Sequence, residues 1–157
     1  MKITLLTVGK TDAPWVREGL DTYVSRLTHY VPFSVKELAE LKNASSLTRE
    51  QIKEKEGTAL LGSLSAGDYL ILLDDKGTEM TSTQWAASLQ DLLLHQGQNL
   101  VFAVGGAYGF SPAVYERAAR KLSLSKMTFS HQMVRVIFAE QLYRAFTILR
   151  GEPYHHE

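Results

Sequence analysis

Asn99-Leu100-Val101-Phe102-Ala103-Val104-Gly105-Gly106-Ala107-Tyr108-Gly109-Phe110-Ser111-Pro112 is the stretch that decides the fold. Asn99 to Val104 is an apolar run of strand length with no polar alternation, the pattern of a strand covered on both faces in a parallel sheet. Ser111-Pro112 then opens a helix predicted over Pro112 to Lys121, with proline in the first turn, where its missing N–H leaves nothing unpaired. Between them, Gly105, Gly106 and Gly109 have no Cβ, so the backbone can come close to a ligand and present its N–H groups. The same pattern also suits a tight strand-to-helix turn that binds nothing. It is neither G-x-G-x-x-G nor a P-loop, because the spacing differs and no Lys-Ser/Thr follows.

The strand-loop-helix unit repeats on both sides of this stretch. Upstream, Lys2 to Val8 reads as a first strand, and Val16, Leu20, Tyr23, Val24, Leu27 and Val31 have helical spacing, with Asp12 as the expected N-cap and Pro14 in the first turn. Phe33 to Leu38 is a second strand, Lys42 to Ser46 a polar loop, and Thr48 with Gln51 a capping box for a helix reaching about Leu64. Tyr69 to Leu73 is a third strand, ended by Asp74-Asp75-Lys76-Gly77, and Thr81 with Gln84 caps a further helix. Downstream, Leu122 to Phe129 is strand-like, and a last amphipathic helix runs from about Gln132 to Arg150, before Gly151. Five such units predict an α/β fold with a mostly parallel sheet and helices on both faces. One domain over residues 1–157 is expected, with ligands beyond the carboxyl ends of the strands, in the loops after Leu73, after Val104 and around Leu124 to Phe129.

Composition limits the function classes. There is no cysteine among the 157 residues, which removes disulfide, thiolate-metal and thiol chemistry and fits a reducing, cytoplasmic setting. The opening apolar run, Ile3 to Val8, is too short for a signal peptide, and no window is long enough to cross a bilayer, so no membrane partner is expected. The 17 basic and 17 acidic side chains cancel and give no overall pull toward nucleic acid. Residues 111 to 157 nevertheless carry seven basic against four acidic groups, a face that fits phosphate contacts or simple solvation.

Few residues suggest chemistry individually. Asp74 and Asp75 are adjacent on a strand, so they point to opposite faces and suit a solvated turn better than a shared metal. His131 opens the last helix, with Arg135 one turn on, and either orients a substrate or is structural. Val134, Phe138, Leu142, Phe146 and Leu149 form an apolar stripe, a core or dimer face, with Arg135 and Arg144 placed off it. The chain closes on Pro153-Tyr154-His155-His156-Glu157, and an aromatic with two imidazoles suits a contact surface better than a solvating tail. His155-His156-Glu157 has no metal-ligand spacing, and no metal is expected.

Assembled in order, these segments resemble the ribosomal RNA large-subunit methyltransferase H family, a branch of the SPOUT methyltransferases. The likeness rests on Thr7-Val8-Gly9-Lys10, Leu72-Leu73-Asp74, Gly105-Gly106 with Gly109-Phe110-Ser111-Pro112, and Leu122 to Ser125 with Met127-Thr128. It continues through His131 with Val134-Arg135-Val136, Ala139 to Ala145, and Pro153-Tyr154-His155. One difference from many members is His156, where they carry a basic residue. The resemblance implies a C-terminal trefoil knot, the SPOUT or α/β-knot fold, which general topology rules would not supply. It implies S-adenosylmethionine held by Leu73, Gly105 and Leu124, Ser125, Lys126, Met127, Thr128 and Phe129, largely through backbone groups. It implies methylation of N3 of pseudouridine 1915 in 23S ribosomal RNA on the assembled ribosome, by a homodimer in which one subunit's tail completes the other's pocket. His131, Arg135, Tyr154 and His155 are then the candidate catalytic residues, with Arg144 beside Arg135 as a phosphate or base contact. The alternatives are a nucleotide-binding α/β oxidoreductase, which lacks the dinucleotide glycine turn after its first strand, and a non-catalytic ribosome-binding module.

Overall fold

The computed structural model describes residues 1–156. Its elements run β1 (Ile3–Val8), α1 (Pro14–Leu27), β2 (Phe33–Leu38), α2 (Arg49–Gly62), β3 (Tyr69–Glu79), α3 (Ser82–His95), β4 (Leu100–Val104), α4 (Pro112–Arg117), β5 (Arg120–Ser123) and α5 (Met133–Leu149). The strands form one sheet in the order β2-β1-β4-β3-β5, and every pairing is parallel. The expected α/β class and parallel sheet are therefore what the chain adopts.

Helices cover both faces because the side chains of each strand alternate between them. On β4, which is buried throughout, Leu100, Phe102 and Val104 join one apolar cluster while Val101 and Ala103 join the other. The first cluster takes Leu27 of α1, Trp85 and Leu89 of α3, and Phe138 and Leu142 of α5. There the Phe102 ring lies 4.7 Å from Phe138 and 5.8 Å, edge-on, from Trp85. The second takes Leu60 of α2 and Val114 of α4.

Local chemistry explains most of the boundaries. Both capping boxes form: Thr48 and Thr81 accept the backbone N–H of Gln51 and Gln84, whose side chains reach back to the cap N–H. Ser111 Oγ accepts from Val114 N–H at 3.4 Å, and Pro112 begins α4. Gly151 (φ +68°) ends α5 in the left-handed conformation that glycine tolerates best.

Four expectations change. Asp12 does not cap α1: the N-cap is Ala13, without a side-chain bond, and the Asp12 N–H instead donates to Gln132 Oε1 at 3.1 Å. β3 does not end at Leu73 but continues to Glu79, because Asp74 to Gly77 form an irregularity in its pairing with β5 between Leu73 and Thr78. Gly77 makes that approach possible, since a Cβ there would lie 2.7 Å from the Lys121 carbonyl carbon and 2.8 Å from the Leu122 nitrogen. α4 stops at Arg117 rather than Lys121: Ala118 turns extended, and Ala119 N–H bonds Leu70 O at 2.8 Å, drawing the chain into β5. The edge strand thus begins earlier than predicted and ends at Ser123, leaving Leu124 to Phe129 as a loop.

Candidate active site

A cleft of about 480 Å3 opens beyond the carboxyl ends of β4 and β5, beside the irregular middle of β3. Leu73, Asp74 and Asp75 of β3 form one wall, the loop Gly105 to Phe110 after β4 a second, and Leu124 to Val134 after β5 the third. Two of these are loops at the carboxyl ends of parallel strands, where such sheets bind ligands, and the expected loop after Leu73 is instead an irregular stretch within β3. Leu73, Gly105, Leu124, Ser125, Met127, Thr128, Phe129 and His131 all line it. Lys126 belongs to the same loop but not to the lining; its side chain is 86% exposed and its ammonium lies 3.8 Å from Glu79.

Each wall is held by its own bonds and packing. Gly106 accepts the Gly109 N–H at 3.1 Å across a tight turn, and Gly109 (φ +83°) supplies the conformation that closes it. A Cβ on Gly105 would press on the Phe110 ring at 3.3 Å, so glycine there allows the ring and the cleft backbone to pack together. In the third wall Ser123 Oγ donates to Ser125 O at 2.9 Å, and Met127 N–H donates to Ser125 Oγ at 3.0 Å. In the first, Asp74 accepts the Tyr115 hydroxyl at 2.6 Å and the Lys76 N–H at 2.9 Å. Burial alone would raise the Asp74 carboxyl, but these bonds outweigh it and hold it below its usual value. The Tyr115 phenol is pushed up to about 12, first by burial and then by that carboxylate. Asp74 is therefore a staple between β3 and α4 rather than the solvated turn expected from sequence, and with both oxygens bonded within the chain it is not poised as an acid or base.

Arg135 also departs from expectation. It is fully buried, and all its donor nitrogens turn inward: Nη1 donates to Gly9 O (3.0 Å) and Thr11 Oγ1 (2.8 Å), Nη2 to Val8 O (3.1 Å), and Nε to His131 O (2.9 Å). Glu37 lies 3.5 Å away and also binds Arg17 at 3.0 Å and the Thr11 N–H. Burial works to raise the Glu37 carboxyl, yet the Thr11 and Arg17 bonds hold it below its usual value. An arginine so enclosed does not reach a phosphate or a base. Together with Gln132, which donates to Lys10 O at 3.0 Å, it clamps the first turn of α5, and with it His131, to the end of β1.

Among the described residues, the tail through His156 does not line this cleft within one chain, and Glu157 lies outside the described residues. Tyr154 packs edge-on against Tyr143 with ring centroids 4.7 Å apart, donates to Glu140 Oε2 at 2.8 Å, and lies 3.3 Å from the Tyr23 hydroxyl. Its phenol is pushed well above its usual value, first by burial and then by bonds to Tyr23 and Glu140. Arg144 pairs with Glu140 at 2.9 Å and meets His155 Nδ1 at 3.0 Å. Tyr154, His155 and Arg144 thus form one cluster on α5, separate from the cleft lining. Among the described residues no group of His, Cys, Asp and Glu is arranged to hold a metal ion, and no helix is long and apolar enough to cross a membrane.

Sequence reasoning missed Glu56, which stands behind the glycine loop. Its Oε1 is buried without a hydrogen-bond partner, burial raises its carboxyl, and a Cβ on Gly106 would fall on its carboxylate. Nothing local marks it, because Glu56 sits in an ordinary charged helix segment.

The family described as "Predicted SPOUT methyltransferase" matches residues 1–155. A protein of Parabacteroides distasonis named ribosomal RNA large subunit methyltransferase H is 55% identical over 157 residues, the whole of both chains. Proteins of the same name from Bacteroides fragilis and Flavobacterium johnsoniae are 49% and 48% identical, again over the whole of both chains.

Proposed function

The chain belongs to the SPOUT methyltransferases, whose fold carries the C-terminal trefoil knot, and from that premise we propose that it methylates N3 of pseudouridine 1915 in 23S ribosomal RNA. The methyl donor in this proposal is S-adenosylmethionine, and the acceptor is the assembled ribosome in the cytoplasm. The ribosomal RNA target is supported by full-length relatives named for large-subunit methyltransferase activity.

The observation that carries the proposal is the cleft. Its volume lies in the small-ligand range, and its lining, which mixes apolar residues such as Leu73, Val104 and Leu124 with glycines and polar side chains, suits an adenosine and a short amino-acid arm. Leu73, Gly105 and Leu124 to Phe129 would hold the cofactor, with Lys126 contributing its backbone while its ammonium faces outward. When bound, the cofactor supplies an electrophilic methyl group on a sulfonium.

The residues of the chain then have to position the acceptor base and help its N3 lose a proton. Alignment is the larger part of that task, since the donor is already activated. His131 lines the cleft and is oriented through its own carbonyl by Arg135, so it can orient the base or accept a proton at its imidazole. Arg135 is a positioning residue and touches no substrate. Tyr154, His155 and Arg144 serve the neighbouring copy of a homodimer: they lie off their own cleft, and a second subunit is the route by which they meet one.

Incubating the protein with methyl-labelled S-adenosylmethionine and ribosomes that contain or lack the pseudouridine tests the proposal. Label in 23S RNA from the first ribosomes alone is the expected result. Label in neither set, or equal label in both, rejects it.

A further inference from the structure

The protein carries no net charge, so counterion release gives it little hold on RNA beyond local contacts. Another source of grip is needed, and the mouth of the cleft holds one. In the tight turn closed by the Gly109 N–H to Gly106 O bond, Ala107 and Tyr108 are the two central residues, which puts the phenol at the tip. Tyr108 lines the cleft yet is 44% exposed, and the Arg49 guanidinium, at the first residue of α2, lies 5.1 Å from its ring centroid. Trp15 and Leu94, also exposed, do not line the cleft; Tyr115 and Met127 do, but Tyr115 is tied by its hydroxyl to Asp74 and Met127 has no ring to stack a base.

We infer that Tyr108 is a stacking platform for a nucleobase beside the target nucleotide, with Arg49 steadying the ring and meeting the adjoining phosphate; this rests on the RNA methylation proposed above. Proteins that read unpaired RNA use aromatic rings paired with arginine in this way, because every base has a face to stack and the contact does not depend on sequence. The short closed turn favours the role. Held by its own hydrogen bond, it presents the ring without a long loop having to be ordered on binding. The Arg49 contact does the same for the side chain, restricting a ring that would otherwise sample several rotamers.

The test compares wild type, Tyr108→Phe, Tyr108→Ala and Arg49→Ala in steady-state methylation of ribosomes at saturating S-adenosylmethionine, with the cofactor Kd measured separately by calorimetry. Tyr108→Ala is expected to raise the KM for ribosomes about ten-fold, within the value of one base stack, and to leave the cofactor Kd within about two-fold. Tyr108→Phe keeps the ring and stays near wild type in both, and Arg49→Ala makes the KM less dependent on salt. An unchanged KM in Tyr108→Ala overturns the inference. So does a cofactor Kd that weakens in step with it, which gives the ring to the cofactor, or a Tyr108→Phe defect equal to that of alanine, which gives the role to the hydroxyl. If the wild-type protein itself transfers no methyl group to ribosomes, the methylation function fails and the inference with it.

Discussion

Replacing Arg135 by methionine removes the clamp between α5 and the end of β1 while keeping most of the side-chain volume. The substitution removes a donor from four acceptors, namely the carbonyls of Val8, Gly9 and His131 and the Thr11 hydroxyl, of which Gly9 O keeps the Thr7 hydroxyl, in a region where the arginine itself is fully buried. It also leaves Glu37 with Arg17 and Thr11 as its remaining partners. Removing one partner of a buried ionic network costs about 3–5 kcal/mol, because the groups left behind stay desolvated. In a protein of this size that corresponds to a fall in Tm of roughly 6–20 °C. Arg135→Lys keeps the charge but lacks the fork that reaches several acceptors at once, and is expected to lie between wild type and Arg135→Met. Thermal unfolding followed by circular dichroism gives the stability, and calorimetry with S-adenosylmethionine at 20 °C, where the variants remain folded, gives the effect on the cleft. Because the clamp holds the turn that carries His131, cofactor binding should weaken as well. An Arg135→Met protein that melts within about 2 °C of wild type and binds the cofactor equally well would refute the role given to this network.

Further outcomes follow from the same structure. Gly77→Ala puts a Cβ 2.7 Å from the Lys121 carbonyl carbon, so β3 and β5 must separate beside the cleft; a loss of about 1–3 kcal/mol in denaturant unfolding and a weaker cofactor Kd are expected. Tyr154→Phe removes the hydroxyl that bonds Glu140 and Tyr23, and should lower the rate of methyl transfer to ribosomes while leaving the cofactor Kd unchanged. Glu37 and Glu56 should affect pH-dependent stability with opposite signs. The Glu37 carboxyl is lowered from 4.5 on folding, so its contribution is complete above 4.5 and fades as pH falls through the folded value; Glu37→Gln should be destabilising at pH 7, by an amount that shrinks steadily as the medium is made acid below 4.5. The Glu56 carboxyl is raised from 4.5, so the stability linked to its proton is complete below 4.5 and lost as pH rises through the folded value; Glu56→Gln should raise Tm at pH 8 and have little effect at pH 4. Thermal melts across that pH range check both.

What could be read from sequence depended on how far each signal reaches along the chain. The capping boxes at Thr48 and Thr81, the Ser111-Pro112 helix start and the buried run of β4 are local patterns, and each formed where its residues said. The extension of β3 past Leu73 was not legible, because Asp74-Asp75-Lys76-Gly77 has the chemistry of a turn and only the later arrival of β5 makes it a strand. The stretches after Leu73 and Val104 and around Leu124 to Phe129 were legible as the ligand end of a parallel sheet, and the assignment of their individual residues to a cofactor came from the family resemblance. Backbone groups leave no mark in the side-chain sequence, and the cleft that unites these residues exists only after three distant segments meet. Arg135 was misplaced although the signal was present. Arg135, Phe138, Ala139 and Leu142 follow helical spacing and are all buried, so the apolar face of α5 includes the arginine that its charge seemed to exclude. Glu56 gave no signal, since its burial depends on a glycine loop that packs against α2 from far along the chain.

The most direct test of the central claim is a crystal structure of the protein with S-adenosylmethionine. The ligand is predicted in the cleft, against the backbone of Leu73, Gly105 and the Leu124 to Phe129 loop, with its methyl group open toward His131 and toward the tail of a second subunit. A ligand seated anywhere else on the chain, or a well-ordered cleft without ligand at saturating concentration, would contradict it.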